Sequence, residues 1–204
     1  MTQIALPLTA DRREPARIVV GSANAAVLDA CRDALNWPFR TAVLAGEPRC
    51  GKSLIAQWFA AEGLGEAIDD AQLLDETELF HRWNRAQQSG VPLLLINGSG
   101  QQGWTIQLPD LASRMGAAAM LRIGPLDDAM MADLIAFHAQ QRGAPIGPDA
   151  AAYLVPRTTR SHLAIEQLVG IIDRLSLERK VPPTQGVWRD ALDELLGPQQ
   201  PDLL

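Results

Sequence analysis

The chain has 204 residues, of which 47% are hydrophobic and 21% charged, and its formal net charge is −6. No apolar run approaches the roughly 18 residues that a membrane span needs, and the acidic balance without a basic stripe argues against sequence-specific DNA binding. Because the chain does not begin with a basic segment followed by an apolar one, we expect no signal peptide and a cytoplasmic protein.

Strand and helix patterns alternate over the first 124 residues. An apolar N-terminal peptide without a useful helical or strand pattern leads through a charged linker to a short apolar run, Arg17–Val20, and Ser22 is predicted to cap a helix over Ala23–Leu35. Strands are predicted over Thr41–Ala45, Val91–Ile96 and Ala119–Ile123, and helices over Ser53–Ala61, Glu76–Gln88 and Leu108–Met115. This order favours a parallel sheet with crossover helices.

After Gly124-Pro125 the pattern becomes purely helical. Helices are predicted over Asp127–Gln141, Pro148–Leu154, Ser161–Glu178 and Trp188–Leu196. The sequence thus predicts four segments: an extended peptide and linker over 1–15, an α/β core over 16–124, a separate helical domain over 125–197 and a loose tail over 198–204.

The strongest motif follows the strand predicted at Thr41–Ala45. It reads Gly46-Glu47-Pro48-Arg49-Cys50-Gly51-Lys52-Ser53, the glycine-rich P-loop pattern. Its glycines allow a tight turn whose amides point at phosphate oxygens, and Lys52 adds a positive charge. The Ser53 hydroxyl suits Mg²⁺, and the helix that follows directs its N-terminal dipole at the anion. The pattern predicts a nucleotide-binding site.

Polar residues near other strand ends are candidates for the same site, each with a plainer alternative. Asp69-Asp70 could hold the metal as a P-loop ATPase requires, or could form a solvated turn, since no apolar run precedes it. Asn97 could orient a water near the terminal phosphate, or could belong to an Asn-Gly turn. Very little chain separates Lys52 from Asp69, so the sheet is expected to lack a strand–helix unit common in such folds.

Other reactive side chains are scattered. Arg114 and Arg160 could each reach a phosphate from a neighbouring domain or subunit, although most arginines are surface residues. His81, His138 and His162 lack metal-ligand spacing and are interpreted as structural. The only cysteines are Cys31 and Cys50. Cys50 precedes a helix, which can lower a thiol pKa, but a small residue filling the loop is the favoured interpretation.

Together these motifs resemble the DnaA-related branch of the AAA+ ATPases over nearly the whole chain. In the first half, Val20-Gly21-Ser22-Ala23-Asn24 looks like the box beside the adenine, Gly46–Ser53 is the Walker A motif, Asp69-Asp70 falls at Walker B, and Leu79-Phe80-His81-Arg82-Trp83-Asn84 looks like the helix after it. Further along, Asn97 lies near sensor 1, Leu108–Arg114 resembles the box that ends in the arginine finger, and Arg160-Ser161 falls at sensor 2.

The resemblance implies an AAA+ P-loop core with an all-helical lid, and ADP or ATP with Mg²⁺ as cofactors. The nucleotide would contact Val19, Val20, the Walker A loop with Leu54, and Arg160. Ser53 and Asp69 would hold the metal, with Asp70 and Asn97 as further catalytic residues. Arg114 would act in trans on a neighbouring nucleotide.

The N-terminal peptide Gln3-Ile4-Ala5-Leu6-Pro7-Leu8 looks like the hexapeptide with which short regulatory members of this branch bind the DNA polymerase III sliding clamp. Gln3, Ile4, Leu6, Pro7 and Leu8 would make that contact. A second, weaker match lies at Gln200–Leu204. The resemblance therefore implies an adaptor that limits replication by stimulating hydrolysis in the initiator DnaA, with homo-oligomers as a further possibility. A stand-alone ATPase and a clamp-binding module without nucleotide are the alternatives.

Overall fold

The computed structural model describes the main chain of Thr2–Ala5 and residues 17–98 and 104–197. Leu6, Pro7 and Leu8 of the clamp-binding hypothesis lie outside these residues, as does the tail over 198–204. The chain forms two compact units, one of which spans Thr2–Gly124, while the other begins at Pro125.

The first unit contains six strands and four α-helices among its described residues, besides three short 3-10 helices. The strands are β1 (Thr2–Ala5), β2 (Arg17–Val20), β3 (Thr41–Ala45), β4 (Glu66–Ile68), β5 (Leu93–Ile96) and β6 (Ala119–Arg122). The helices are α1 (Ala25–Arg32), α2 (Lys52–Ala61), α3 (Glu76–Ser89) and α4 (Pro109–Gly116).

Four parallel strands form the central sheet in the order β4-β5-β3-β6. Every residue of β3 and β5 is buried, as expected for inner strands covered on both faces. Helices α1 and α2 contact the sheet through β6, β4 and β5. Side chains of α3 and α4, including Leu79 and Leu111, join Val43, Leu93 and Leu95 in a core cluster on the sheet. The predicted α/β fold with a parallel sheet is confirmed.

The described chain passes from α2 to β4 through four residues, without a further strand or helix. β4 therefore forms one edge of the sheet, next to β5. A strand precedes Asp69-Asp70 even though it begins with Glu66. Its partly exposed edge position explains why the sequence lacks the apolar run of an inner strand.

Near the N-terminus, the capping residue of α1 was predicted wrongly and a strand was not predicted. The helix predicted from Ala23 begins at Ala25, and Asn24 rather than Ser22 occupies its N-cap position. Thr2–Ala5, for which no strand was predicted, pairs antiparallel with β2, so that Gln3 lies opposite Val19 and Ile4 opposite Ile18. Main-chain hydrogen bonding, which needs no side-chain pattern, accounts for this strand.

The second unit contains helices and no strand among its described residues. Its helices are α5 (Asp128–Arg142), α6 (Pro148–Leu154), α7 (His162–Arg179) and α8 (Gln185–Leu196). Asp127 caps α5 by accepting a hydrogen bond from the Met130 amide, and Gly143 ends this helix in a left-handed conformation. Helix α7 packs against both α5 and α8, with Ile165, Leu168 and Ile172 fully buried. No helix in the described ranges combines the length and apolar character required to cross a bilayer.

Candidate nucleotide-binding site

The P-loop runs from the end of β3 into α2. Gly51 has φ = +89° and occupies the N-cap position of α2, a conformation that a residue with a side chain rarely adopts. Gly46 is required for a different reason, since a β-carbon there would lie 2.8 Å from Cys50 Sγ and 3.2 Å from Ile123 Cβ. Both glycines of the motif are thus needed to bring the loop close to β6 and turn it into the helix.

Lys52 lies inside the curve of the loop. Its Nζ donates hydrogen bonds to the carbonyl oxygens of Gly46 at 2.9 Å and Glu47 at 2.8 Å. The side chain is only 8% exposed, so a positive charge is held beneath the loop. An ammonium has three donors, and a polyphosphate bound by this loop would share them with the two carbonyls.

Cys50 fills the loop interior. Burial raises the pKa of its thiol, and the nearby Lys52 ammonium, with Nζ 3.9 Å from Sγ, opposes that rise without cancelling it. The thiol is therefore less acidic than an ordinary cysteine, which supports a packing role over a redox role.

The outer surface of the loop is open. Glu47, Pro48, Arg49 and Ser53 are exposed, and Leu54 is half-buried in the first turn of α2. The Ser53 hydroxyl thus stands at the N-terminus of a ten-residue helix. A hydroxyl and a helix N-terminus are suited to Mg²⁺ and phosphate, respectively.

Asn24 holds the turn after β2. Its Nδ2 donates to the Val19 carbonyl at 2.8 Å, and its Oδ1 accepts from the Gly21 amide at 3.0 Å. Strand β2 contacts α2, so this turn belongs to the P-loop neighbourhood. Val19 is buried and Val20 only half-buried, which leaves Val20 the more accessible of the two to an adenine ring. The role of Asn24 was missed because it was predicted within a helix.

Asn97 follows β5 directly beside the P-loop strand. Its main-chain N–H donates to the Leu44 carbonyl at 2.9 Å, and the residue is 7% exposed. Since Leu44 pairs with Ile96, Asn97 lies level with Ala45, one residue before the loop begins. The sheet therefore places Asn97 next to the P-loop, and its role towards a phosphate stays a prediction.

Asp69 and Asp70 are exposed in the turn that follows β4. A Gln72–Asp70 pair joins this turn to the next strand end: Gln72 Nε2 donates to Asp70 Oδ1 at 3.2 Å, and its Oε1 accepts from the Gly98 amide at 2.8 Å. Gln72 was not predicted, because a glutamine in a polar turn carries no signal until the strands are paired.

Possible oxygen ligands for a metal follow two different strands of the sheet. Within the ranges that the structure covers, no three His, Cys, Asp or Glu residues are grouped to hold an ion. Ser53 and Asp69 offer the oxygen ligands that Mg²⁺ prefers. β3 and β4 are separated by one strand, hence by about 10 Å, which leaves room for phosphate oxygens between them.

Arg114 lies on α4, and its guanidinium packs against α3. Its Nη1 donates to Asn84 Oδ1 at 2.6 Å, and its Cζ lies 4.2 Å from the ring centroids of both Phe80 and Trp83. The side chain is half-buried. Among the described residues, the guanidinium therefore contacts α3 and not the P-loop.

Arg160 belongs to the second unit, in the turn before α7. Its Nη2 forms an ion pair with Asp128 Oδ1 at 2.6 Å, and its Nη1 donates to the Leu126 carbonyl at 3.0 Å. The side chain is 55% exposed. Its contact with a nucleotide stays a prediction.

The fold matches solved structures of replication and recombination proteins. Domain III of the Thermotoga maritima replication initiation protein DnaA matches with a TM-score of 0.71 and 14% identity, over 89% of this chain and 95% of that one. AMPPCP-bound DnaA from Aquifex aeolicus gives 0.62 and 17%, over 85% and 66%. The Thermotoga maritima RuvB Holliday junction branch migration motor gives 0.60 and 15%, over 86% and 70%.

At the level of sequence, an uncharacterized protein of Haemophilus influenzae (strain Rd) is 30% identical over 117 residues, or 54% of this chain. The chain spans about half, 51%, of that protein's length. No protein-family model matches the sequence. The comparisons thus identify a fold: this chain is built like the AAA+ P-loop ATPase domains of DnaA and RuvB.

Proposed function

We propose that this chain is an Hda-like adaptor of DNA replication. In this proposal it carries an adenine nucleotide, ADP in its working form, docks on the DNA polymerase III sliding clamp, and stimulates ATP hydrolysis by DnaA. Hydrolysis would inactivate the initiator and so limit re-initiation. The proposal extends the DnaA-like fold to a function in the same process.

The observation that carries the nucleotide part is the P-loop itself. Its glycines fit the required turn, Lys52 lies within it, and Ser53 lies in the first turn of α2. Asn97 and the Asp69–Asp70 turn follow the carboxyl ends of two neighbouring parallel strands, the side of the sheet where ligands of open α/β folds bind. The AMPPCP-bound DnaA structure, with the same fold, supports an adenine nucleotide as the ligand.

The clamp part rests on the N-terminal peptide. Thr2–Ala5 is extended and uses its main chain to pair with β2. An extended segment with apolar anchors suits a peptide-binding groove. Since Gln3 and Ile4 lie opposite Val19 and Ile18 in this ladder, docking on a clamp would use the outer edge of β1 or release it from β2.

The hydrolytic part rests on Arg114. A guanidinium stabilises charge that develops on a transferred phosphoryl group, and in trans it requires a partner's nucleotide. Arg114, on α4, is bonded to Asn84 of α3 in the same chain. It remains half-exposed, so a partner surface can reach it.

A second candidate is a stand-alone ATPase. It is favoured by the presence of Ser53, Asp69 and Asn97 after the carboxyl ends of three parallel strands. Against fast turnover, Asp69 is exposed and lies at the end of a three-residue edge strand. Slow turnover that ignores DnaA would support this candidate.

The test is the rate of hydrolysis of DnaA-bound ATP on clamp-loaded DNA, with and without this protein. We expect stimulation by the wild type and its loss, by about a thousandfold or more in the stimulated component, for Arg114→Ala. Arg85→Ala, which removes an exposed arginine of α3, is the control. Undiminished stimulation by Arg114→Ala would exclude Arg114 from this role.

A further inference from the structure

We propose that Phe80, Trp83 and Asn84 are positioning residues for Arg114. They form a guanidinium cradle on α3 that holds the arginine in the geometry needed to reach a partner's phosphate. This inference rests on the proposed trans-acting role of Arg114. It adds that three side chains of α3 hold Arg114 in position for that role.

Two aromatic rings contact the guanidinium of Arg114. Its Cζ lies 4.2 Å from the centroids of both Phe80 and Trp83, well inside the range of a cation–π contact. The two aromatic residues are three apart on α3, a spacing that places them on one face of the helix. The flexible end of Arg114 is thereby packed against two aromatic faces.

Asn84 adds a hydrogen bond to these two ring contacts. Its Oδ1 accepts from Arg114 Nη1 at 2.6 Å, and it is four residues from Phe80 on the same face. A guanidinium has five N–H donors in a rigid fork, and the bond to Asn84 occupies one of them. In this proposal, the remaining donors of the fork would bind the oxyanion.

Trp83 carries a cost that points to the same role. Its indole Nε1 is buried and has no hydrogen-bond partner within the described residues. An unsatisfied buried donor destabilises a fold, so an aliphatic side chain would pack there at lower cost. Tryptophan, however, offers the strongest face for a cation.

Helix α3 is hydrogen-bonded to the start of α4, the helix that carries Arg114. Glu76, in the first turn of α3, accepts hydrogen bonds from the amides of Gln107 at 2.8 Å and Leu108 at 2.6 Å, at the start of α4. Leu111 and Met115 of α4 pack in the same core cluster as Leu79 of α3. The backbone that carries Arg114 is thus held against the helix that carries its cradle.

The consequence is an arginine whose freedom is restricted before the partner arrives. A mobile arginine would lose its side-chain entropy on reaching the phosphate, and a small misplacement is costly for catalysis. A held arginine avoids that loss. Removing the cradle should therefore lower the rate of the stimulated reaction without weakening the assembly.

The experiment measures DnaA-bound ATP hydrolysis against the concentration of the full chain on clamp-loaded DNA. For Asn84→Ala we expect the plateau rate to fall by about tenfold to a hundredfold, with the half-maximal concentration unchanged. Trp83→Leu should behave likewise, while Trp83→Phe, which keeps an aromatic face, should restore most of the rate. Gln88→Ala, one turn further along α3 and exposed, is the matched control.

Thermal unfolding separates misfolding from mispositioning. Trp83 belongs to the core cluster, whereas Asn84 is half-buried, so Asn84→Ala keeps the test decisive if Trp83→Leu does not fold. A folded Asn84→Ala variant with full stimulation would overturn the cradle, and so would a variant with increased stimulation, because the cradle would then sequester Arg114. If Arg114→Ala itself stimulates normally, the proposed function fails instead.

Discussion

Lys52 shows how one residue can serve both the fold and the ligand. Its ammonium bonds the carbonyls of Gly46 and Glu47 and is almost fully buried, so the loop is shaped around a positive charge. A buried cation without an anion is normally unfavourable, and two carbonyl acceptors offset only part of that cost. A bound phosphate would complete the compensation, which is why we expect nucleotide affinity to depend on this side chain.

Lys52→Ala is predicted to weaken ADP binding by about tenfold to a hundredfold, because charge-assisted hydrogen bonds to phosphate are lost. Titration calorimetry measures the affinity. The chain has one other lysine, Lys180, which is exposed in the second unit. Lys180→Asn, which tolerates the left-handed backbone of that position, should bind ADP normally. Equal affinities of the Lys52 variant and wild type would remove the P-loop assignment.

At the scale of elements, the local signals identified the α-helices, although the cap of α1 was predicted wrongly. Asp75 accepts from the amides of Thr77 and Glu78 at the start of α3, and Gly90 ends it in a left-handed conformation. Strands depended more on their neighbours. β1 exists because β2 offers a main-chain edge, and β4 because β5 does. A short strand with few apolar residues has no periodicity strong enough to reveal it.

Deleting Gln3–Leu8 is predicted to abolish binding to the sliding clamp while leaving the fold intact. The deletion removes the strand paired with β2 but none of the four strands of the central sheet. Size-exclusion chromatography with the clamp measures binding, and circular dichroism checks the fold. A chain lacking the tail Pro198–Leu204 should still bind. Co-elution of the N-terminal deletion variant with the clamp would refute this assignment of the peptide.

The whole molecule consists of two compact units, and the candidate P-loop belongs entirely to the first. A ligand that binds only the folded state stabilises it by mass action. At a concentration one hundred times its dissociation constant, ADP should contribute about 2.7 kcal/mol.

We expect that increment to raise the melting temperature of the P-loop-containing unit by about 5 to 10 °C. Differential scanning calorimetry with and without ADP and Mg²⁺ measures it, and Lys52→Ala should show little of the shift. An unchanged transition in the wild type at saturating nucleotide would show that the folded chain does not prefer ADP.

The sequence by itself determined the P-loop, the alternating order of the first unit and the helical character of the second. These properties depend on neighbours along the chain: glycine spacing, apolar periodicity and capping residues. Asp69, Asp70 and Asn97 were predicted as site residues because side chains that leave parallel strands collect where those strands end. They do follow β4 and β5, and their roles stay predictions. The short connection before β4 was anticipated from chain length alone.

Only the tertiary structure decided which side chains contact one another between distant elements. The Gln72 bond to the Gly98 amide and the packing of Arg114 on Phe80 and Trp83 join elements that are distant in the sequence. The bond to Gly98 spans 26 residues and that between Arg114 and Asn84 spans 30. Such partners meet only when the core brings their backbones together, so no local pattern in the sequence could identify them.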